Sequence, residues 1–282
     1  MRPLRFVWIC CLFFLVVPVR SQQSQTPSQT ASAGQTNGSA IIDPQAVTVL
    51  NRALANAGGA AAIAAVSDYT GVGSVAYPSD QGTQGTVTVF ALGGTEFRMD
   101  SNLPSGKRSW AVSDGIVSTK DENGTVSSQA PKSTLPSSDA FPHQSPQFPT
   151  SLAFPYEQLA TVLSSSVFNI TYEGTTQVDG HSVHDVQLQH APIGSPAPGR
   201  FMLPEPTREI FIDTSTFEIV MMKETLPKGV VHQVHYSNYQ LVRGLLLPFA
   251  ISEDIAGQPI WAIQFTQFSF NTGLQASSFA LE

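Results

Sequence analysis

Beyond Cys11 this chain of 282 residues contains no cysteine. The two it has, Cys10 and Cys11, fall inside an N-terminal stretch that reads as a secretory signal. The exported protein is therefore expected to have no disulfide, no thiol catalysis, no iron–sulfur cluster and no cysteine-bound zinc. Charge is also scarce, at 12% of residues, with 14 basic side chains against 21 acidic. Loss of Arg2, Arg5 and Arg20 with the signal leaves 11 basic and 21 acidic residues, an acidic balance that argues against a nucleic-acid partner. The apolar block at 6–17 is about a dozen residues, short of the roughly 20 that span a bilayer, so no transmembrane segment is expected after cleavage. No Gly-x-Ser-x-Gly elbow, no Gly-x-Gly-x-x-Gly loop and no internal repeat is present.

What is there begins with the signal, expected at 1–21 with cleavage near Ser21, which predicts a periplasmic or secreted protein. Cys10 and Cys11 follow Trp8 and Ile9 too early to be lipidated cysteines at a cleavage point. Residues 22–40 are almost all Gln, Ser, Thr, Ala and Gly, a disordered tether by composition. One folded domain is expected over 41–282, long enough to bury a core without disulfide staples.

Asp43-Pro44 has the chemistry of a helix start, and Val47, Leu50, Leu54 and Ala57 follow at helical spacing. Gly58-Gly59 interrupts, and 60–66 reads as a second short helix. Strand patterns then run from 68 to 120, with Val87 and Val89 on one face and Phe97 and Met99 opposed to Glu96, Arg98 and Asp100. Residues 121–151 carry five prolines among Ser and Gln and read as a surface loop, as do 191–206. Leu152, Tyr156, Leu159 and Leu163 mark an internal helix. Strands resume at 167–172 and 176–189, and the last third, 207–282, is a meander rich in β-branched and aromatic residues. The fold class is α+β: a strongly curved antiparallel sheet of about ten strands, an incomplete β-barrel wrapped around an N-terminal helix and one internal helix.

Six histidines raise the question of a metal. His181 and His184 are three apart on a strand, as are His232 and His235, so each pair points to opposite faces and cannot chelate one ion in regular geometry. No metal and no cofactor is expected. Asp121-Glu122 and Glu253-Asp254 read as solvated carboxylates at strand ends, and Ser113-Asp114-Gly115 as a turn. Asn37, Asn123 and Asn169 match the glycosylation pattern, which has meaning only in a eukaryotic secretory route.

The sharper signal is apolar. Phe97, Met99, Trp110, Phe217, Met221, Tyr236, Phe249, Trp261 and Phe265 are expected to share one face of the sheet, together with Phe211, Phe268 and Phe270. That face either packs as a filled core against the helices or lines a cavity for an acyl chain. The first alternative makes the protein a structural or interaction module of the cell envelope, the second a non-enzymatic binder of lipid or lipidated protein. A hydrolase with a composite site would need His or carboxylate side chains converging in one cleft. A monomer is expected in each case.

The order of elements resembles one family. The helix ending in Ala53-Leu-Ala-Asn-Ala-Gly-Gly59 precedes an unbroken meander, whose last part carries Ile212-Asp213, Thr216-Phe-Glu-Ile219, Val234-His-Tyr-Ser-Asn-Tyr239, Val242-Arg-Gly244, Leu247-Pro248, and 263–270 with Asn271 and Phe279. This resembles the LolA/LolB-like superfamily of bacterial outer-membrane lipoprotein-sorting and carrier proteins. The resemblance implies an incomplete barrel closed by helices around a hydrophobic cavity for acyl chains. The chain differs from that pattern in its two Pro-rich loops and its Gln/Ser-rich tether.

Overall fold

The computed structural model describes residues 40–114, 116–129, 154–166, 168–190, 207–226 and 229–281. The expected signal, nearly all of the tether, and most of the two Pro-rich stretches lie outside the described residues.

Helix α1, Pro44–Asn56, starts where its sequence dictates: Asp43 Oδ1 accepts the Gln45 N–H at 2.7 Å and Pro44 takes the first helical position. It buries Ala46, Val49, Leu50, Ala53 and Leu54, one stripe at i, i+3, i+4, i+7 and i+8. Gly58, at φ 115°, then lies so close to the sheet that a Cβ would sit 2.5 Å from the Gly244 carbonyl oxygen. Helix α2, Ala60–Ala64, follows at once, and α3, Tyr156–Ser164, buries Tyr156, Leu159 and Val162.

Among the described residues thirteen strands form one antiparallel sheet: β1 Asp68–Tyr77, β2 Thr83–Leu92, β3 Glu96–Leu103, β4 Gly106–Ser113, β5 Ile116–Lys120, β6 Val126–Gln129, β7 Phe168–Val178, β8 His181–His190, β9 Thr207–Asp213, β10 Ile219–Thr225, β11 Val231–Val242, β12 Leu245–Ile255 and β13 Gln258–Phe270. The count exceeds the expected ten or so, in part because β6 falls inside a stretch read as loop. Its polar Ser127 and Ser128 give no apolar alternation, and it pairs with β5 through backbone and a Ser118–Ser128 hydroxyl contact at 2.9 Å.

The strand order is β6-β5-β4-β3-β2-β1-β13-β12-β11-β10-β9-β8-β7. First and last strands thus meet in the middle, and the outermost strands β6 and β7 are not paired to each other. Residue 42 adds a parallel bridge to Ile170 on the β7 edge. The helices lie on the inner face, where α1, α3 and side chains from β1–β4 and β7–β13 form one continuous core. In the middle β1 comes very close to β13: a Cβ on Gly73 would be 2.1 Å from the Gln264 carbonyl oxygen, and one on Gly71 2.8 Å from the Phe265 ring. After β13 the chain crosses back under Asp68, whose carboxylate accepts the Thr272 and Gly273 N–H groups at 2.7 and 3.0 Å, and a 3-10 turn, Ala276–Phe279, buries Phe279.

Candidate functional site

The inner face gathers eight of the nine expected apolar residues in its core or against it, seven of them in two groups on the strands. On one limb Phe97 is fully buried and packs on Trp110 at 5.0 Å between ring centres, with Met99 opposite Trp110 across β3 and β4. The Trp110 indole N–H is buried with no hydrogen-bond partner. On the other limb Tyr236, Phe249, Trp261 and Phe265 come from β11, β12 and β13. Phe268 joins this group, 5.2 Å from Phe249 and 4.7 Å from Phe265. Phe217 is not on a strand; it precedes β10 at φ 57°, under the Arg52 guanidinium and against the His184 ring.

Met221 lies on the opposite face. With Val183, Phe211 and Val220 it forms a small outer cluster, so the expected placement of Met221 and Phe211 on the inner face is corrected. For Met221 the cause is a bulge: β10 pairs Ile219 with Ile212 and then Met221 with Phe211, leaving Val220 as an extra residue. The extra residue reverses the alternation, and Met222 takes the inner position instead.

Four ionisable side chains break the apolar character of the inner face at the ends of its strands. Arg208 on β9, Glu224 on β10, His232 on β11 and Glu253 on β12 form a row across neighbouring strands. Glu224, His232 and Glu253 are 2%, 2% and 4% exposed. Glu253, read from sequence as a solvated carboxylate, is thus a core residue, whereas its neighbour Asp254 faces outward. Arg208 Nη2 donates to Glu224 Oε1 at 3.3 Å, and His232 Nε2 meets Glu253 Oε1 at 2.7 Å. His232 Nδ1 faces Glu224 Oε2 at 4.0 Å, so the imidazole lies between two carboxylates. Burial disfavours the charged imidazole, but Glu224 and Glu253 outweigh it and push the His232 pKa up to about 9. The row had a readable signal: each member shares its strand parity with apolar neighbours such as Ile210, Met222, Val234 and Ile251.

On the outer face a cavity of about 400 Å³ is lined by Asp179, His181, Val220, His235, Tyr236, Ser237, Ser252 and Asp254. His235 sits between Asp179, 2.7 Å from Nδ1, and Asp254, 3.5 Å from Nε2. His181 meets Asp213 at 2.9 Å. Burial works against the charge on Asp213, but the Thr216 and Ser215 N–H groups and His181 hold its pKa below the ordinary carboxylate value. Here carboxylates and imidazoles do converge, yet among the described residues no serine hydroxyl bonds to either histidine. Among the described residues no group of three or more His, Cys, Asp or Glu side chains is arranged to hold a metal ion. The histidines behave as their spacing requires, with His232 inside and His235 outside.

No protein-family model and no curated protein matches this chain. Solved structures do resemble it in fold. One is described as an outer-membrane lipoprotein-sorting protein domain from Vibrio parahaemolyticus, 9% identical over 83% of this chain and 95% of that one, with a TM-score of 0.49. A LolA superfamily protein from Nitrosomonas europaea is 10% identical over 83% and 97%, also at 0.49. The lipoprotein LppX of Mycobacterium tuberculosis is 16% identical over 68% and 92%, at 0.29. Among the described residues no helix is long and apolar enough to cross a membrane.

Proposed function

We propose that this is an exported, non-enzymatic protein that holds the acyl chain of a lipid or of a lipidated partner against the inner face of its sheet. It works in the periplasm or outside the cell, as a monomer. The observation that carries this reading is the mismatch between sheet and helices. Thirteen strands at about 4.8 Å spacing give roughly 60 Å of width. Against it stand helices of 13, 5 and 9 residues, the longest only about 20 Å long and about 10 Å across. An extended hydrocarbon lying between the described helices and the sheet suits an apolar face of that breadth. Phe249, Trp261, Phe265 and Tyr236 are the residues proposed to line the chain, with Phe97, Met99 and Trp110 on the facing limb and Phe217 at the helix end.

One observation favours a second reading, an envelope module with a filled core. Phe97 and Ile263 are 0% exposed and Phe265 only 4%. Displacement of a fluorescent fatty acid separates the two. Saturable binding at about one site per chain supports the acyl-chain reading, and none by the folded protein supports the filled core.

A further inference from the structure

The cavity on the outer face plays no part in acyl-chain binding, and its wall is rich in acceptors. The lining comes from the β7–β8 hairpin (Asp179, His181), from β10 (Val220), from β11 (His235, Tyr236, Ser237) and from β12 (Ser252, Asp254). At about 400 Å³ it has room for a small ligand. Both imidazoles are held by Nδ1: Asp213 Oδ2 lies 2.9 Å from that of His181, and Asp179 Oδ2 lies 2.7 Å from that of His235. A carboxylate only accepts, so each Nδ1 carries the proton, and Nε2 of the neutral ring is left as an acceptor. His235 Nε2 then faces Asp254 Oδ2 across 3.5 Å, a wider gap than the about 2.7–2.9 Å of a charge-assisted hydrogen bond. Two acceptors confront each other there. No lysine or arginine is among the described residues that line the cavity, and Lys223, the lysine of β10, is taken up by Glu209 at 2.6 Å.

We propose that this cavity binds an organic cation, an ammonium or guanidinium group on an aliphatic stem. The cation donates to Asp254 and to His235 Nε2, the stem lies along Val220, and the hydroxyls of Ser237 and Ser252 offer further acceptors. An anion suits the same wall poorly, since Asp179 and Asp254 would both repel it. Two sources carry this chemistry, a free polyamine and the lysine or arginine side chain of a partner protein. The site is on the face opposite the acyl chain, so it stands or falls independently of that reading.

Proton–carbon NMR of the histidine rings tests this on the unaltered protein, at about 0.15 M salt to screen loose surface pairing. The probes are putrescine, N-acetyl-lysine amide, N-acetyl-arginine amide and, as a neutral control, N-acetyl-norleucine amide. A cation should shift the His235 signals saturably and leave those of His232, on the inner face, in place. The norleucine amide should bind about tenfold or more weakly than the lysine amide. Asp254→Asn keeps the side chain's shape and removes its charge, and should weaken cation binding about tenfold or more; urea unfolding confirms that this variant is folded. Binding of putrescine but of neither cationic amide assigns a free polyamine, and binding of either amide assigns a partner's side chain. Equal binding of the lysine and norleucine amides overturns the inference, as does an Asp254→Asn variant that binds cations like the unaltered protein. So does a His235 ring that none of the cations shifts.

Discussion

Strand β11 carries two histidines three residues apart, each beside two carboxylates, and the two sites differ in almost every consequence. His232 lies inside the sheet between Glu224 and Glu253, all three buried to within 4% exposure. His235 lies outside between Asp179 and Asp254, with side chains 25%, 56% and 26% exposed. The same chemistry has been placed in two dielectrics. Outside, water screens the charges and the pairs contribute little. Inside, each charge depends on its neighbours, and removing one strands another in an apolar setting. One strand thus separates a solvated, adaptable face from a face whose polar groups must be satisfied from within.

Breaking the inner site should have the largest effect. Glu253→Ala leaves the His232 imidazole without its 2.7 Å partner and should cost about 3 to 5 kcal/mol in urea unfolding. Phe97→Ala, at a fully buried ring, should cost a similar 3 to 5 kcal/mol or so. Phe265→Ala sharpens the question of what the inner face does: as a wall of the acyl site it should cost less than Phe97→Ala while weakening fatty-acid binding, whereas equal costs with unchanged binding would assign it to plain core.

The inner histidine also predicts a pH dependence. Its pKa is raised from 6.5 to about 9 in the folded protein, so its stabilising contribution is fully present below pH 6.5 and disappears as pH rises through 9. A shift of that size corresponds to about 3 kcal/mol, readable as a fall in urea-unfolding stability across this window that His232→Gln removes. A smaller contrast lies on β10. Met222→Ala, in the main core at 1% exposure, should cost more than Met221→Ala in the four-residue outer cluster, with the former in the range of about 2 to 5 kcal/mol and the latter at or below its lower end. The smallest effect belongs to the outer histidine: Asp179→Ala should change stability by about 1 kcal/mol or less.

Local pattern made much of this legible. The Asp43-Pro44 start, the Gly58-Gly59 break and the parity of Val87, Val89, Phe97 and Met99 all follow from period and propensity, and the structure has them where the sequence places them. The parity of the histidines was legible for the same reason. Met221 was not, because a bulge is one extra residue on one strand and leaves no mark in composition; Val220 looks like any strand residue until its partners Phe211 and Ile212 are known. Strand β6 was hidden by its serines, which pair through backbone rather than through an apolar face. The ion row lies between these cases. Each member stood on an apolar parity and could have been flagged, but only the register across β9 to β12 brings residues 208 and 253 into one row.

The claim at the centre of this account is that the inner face holds a ligand of lipid character. Native mass spectrometry of the full protein, purified from its own host without detergent, tests that most directly. The account predicts a bound amphiphile near one per chain, released on unfolding. A bare chain mass in the folded state, together with failure to take up added fatty acid, would contradict it.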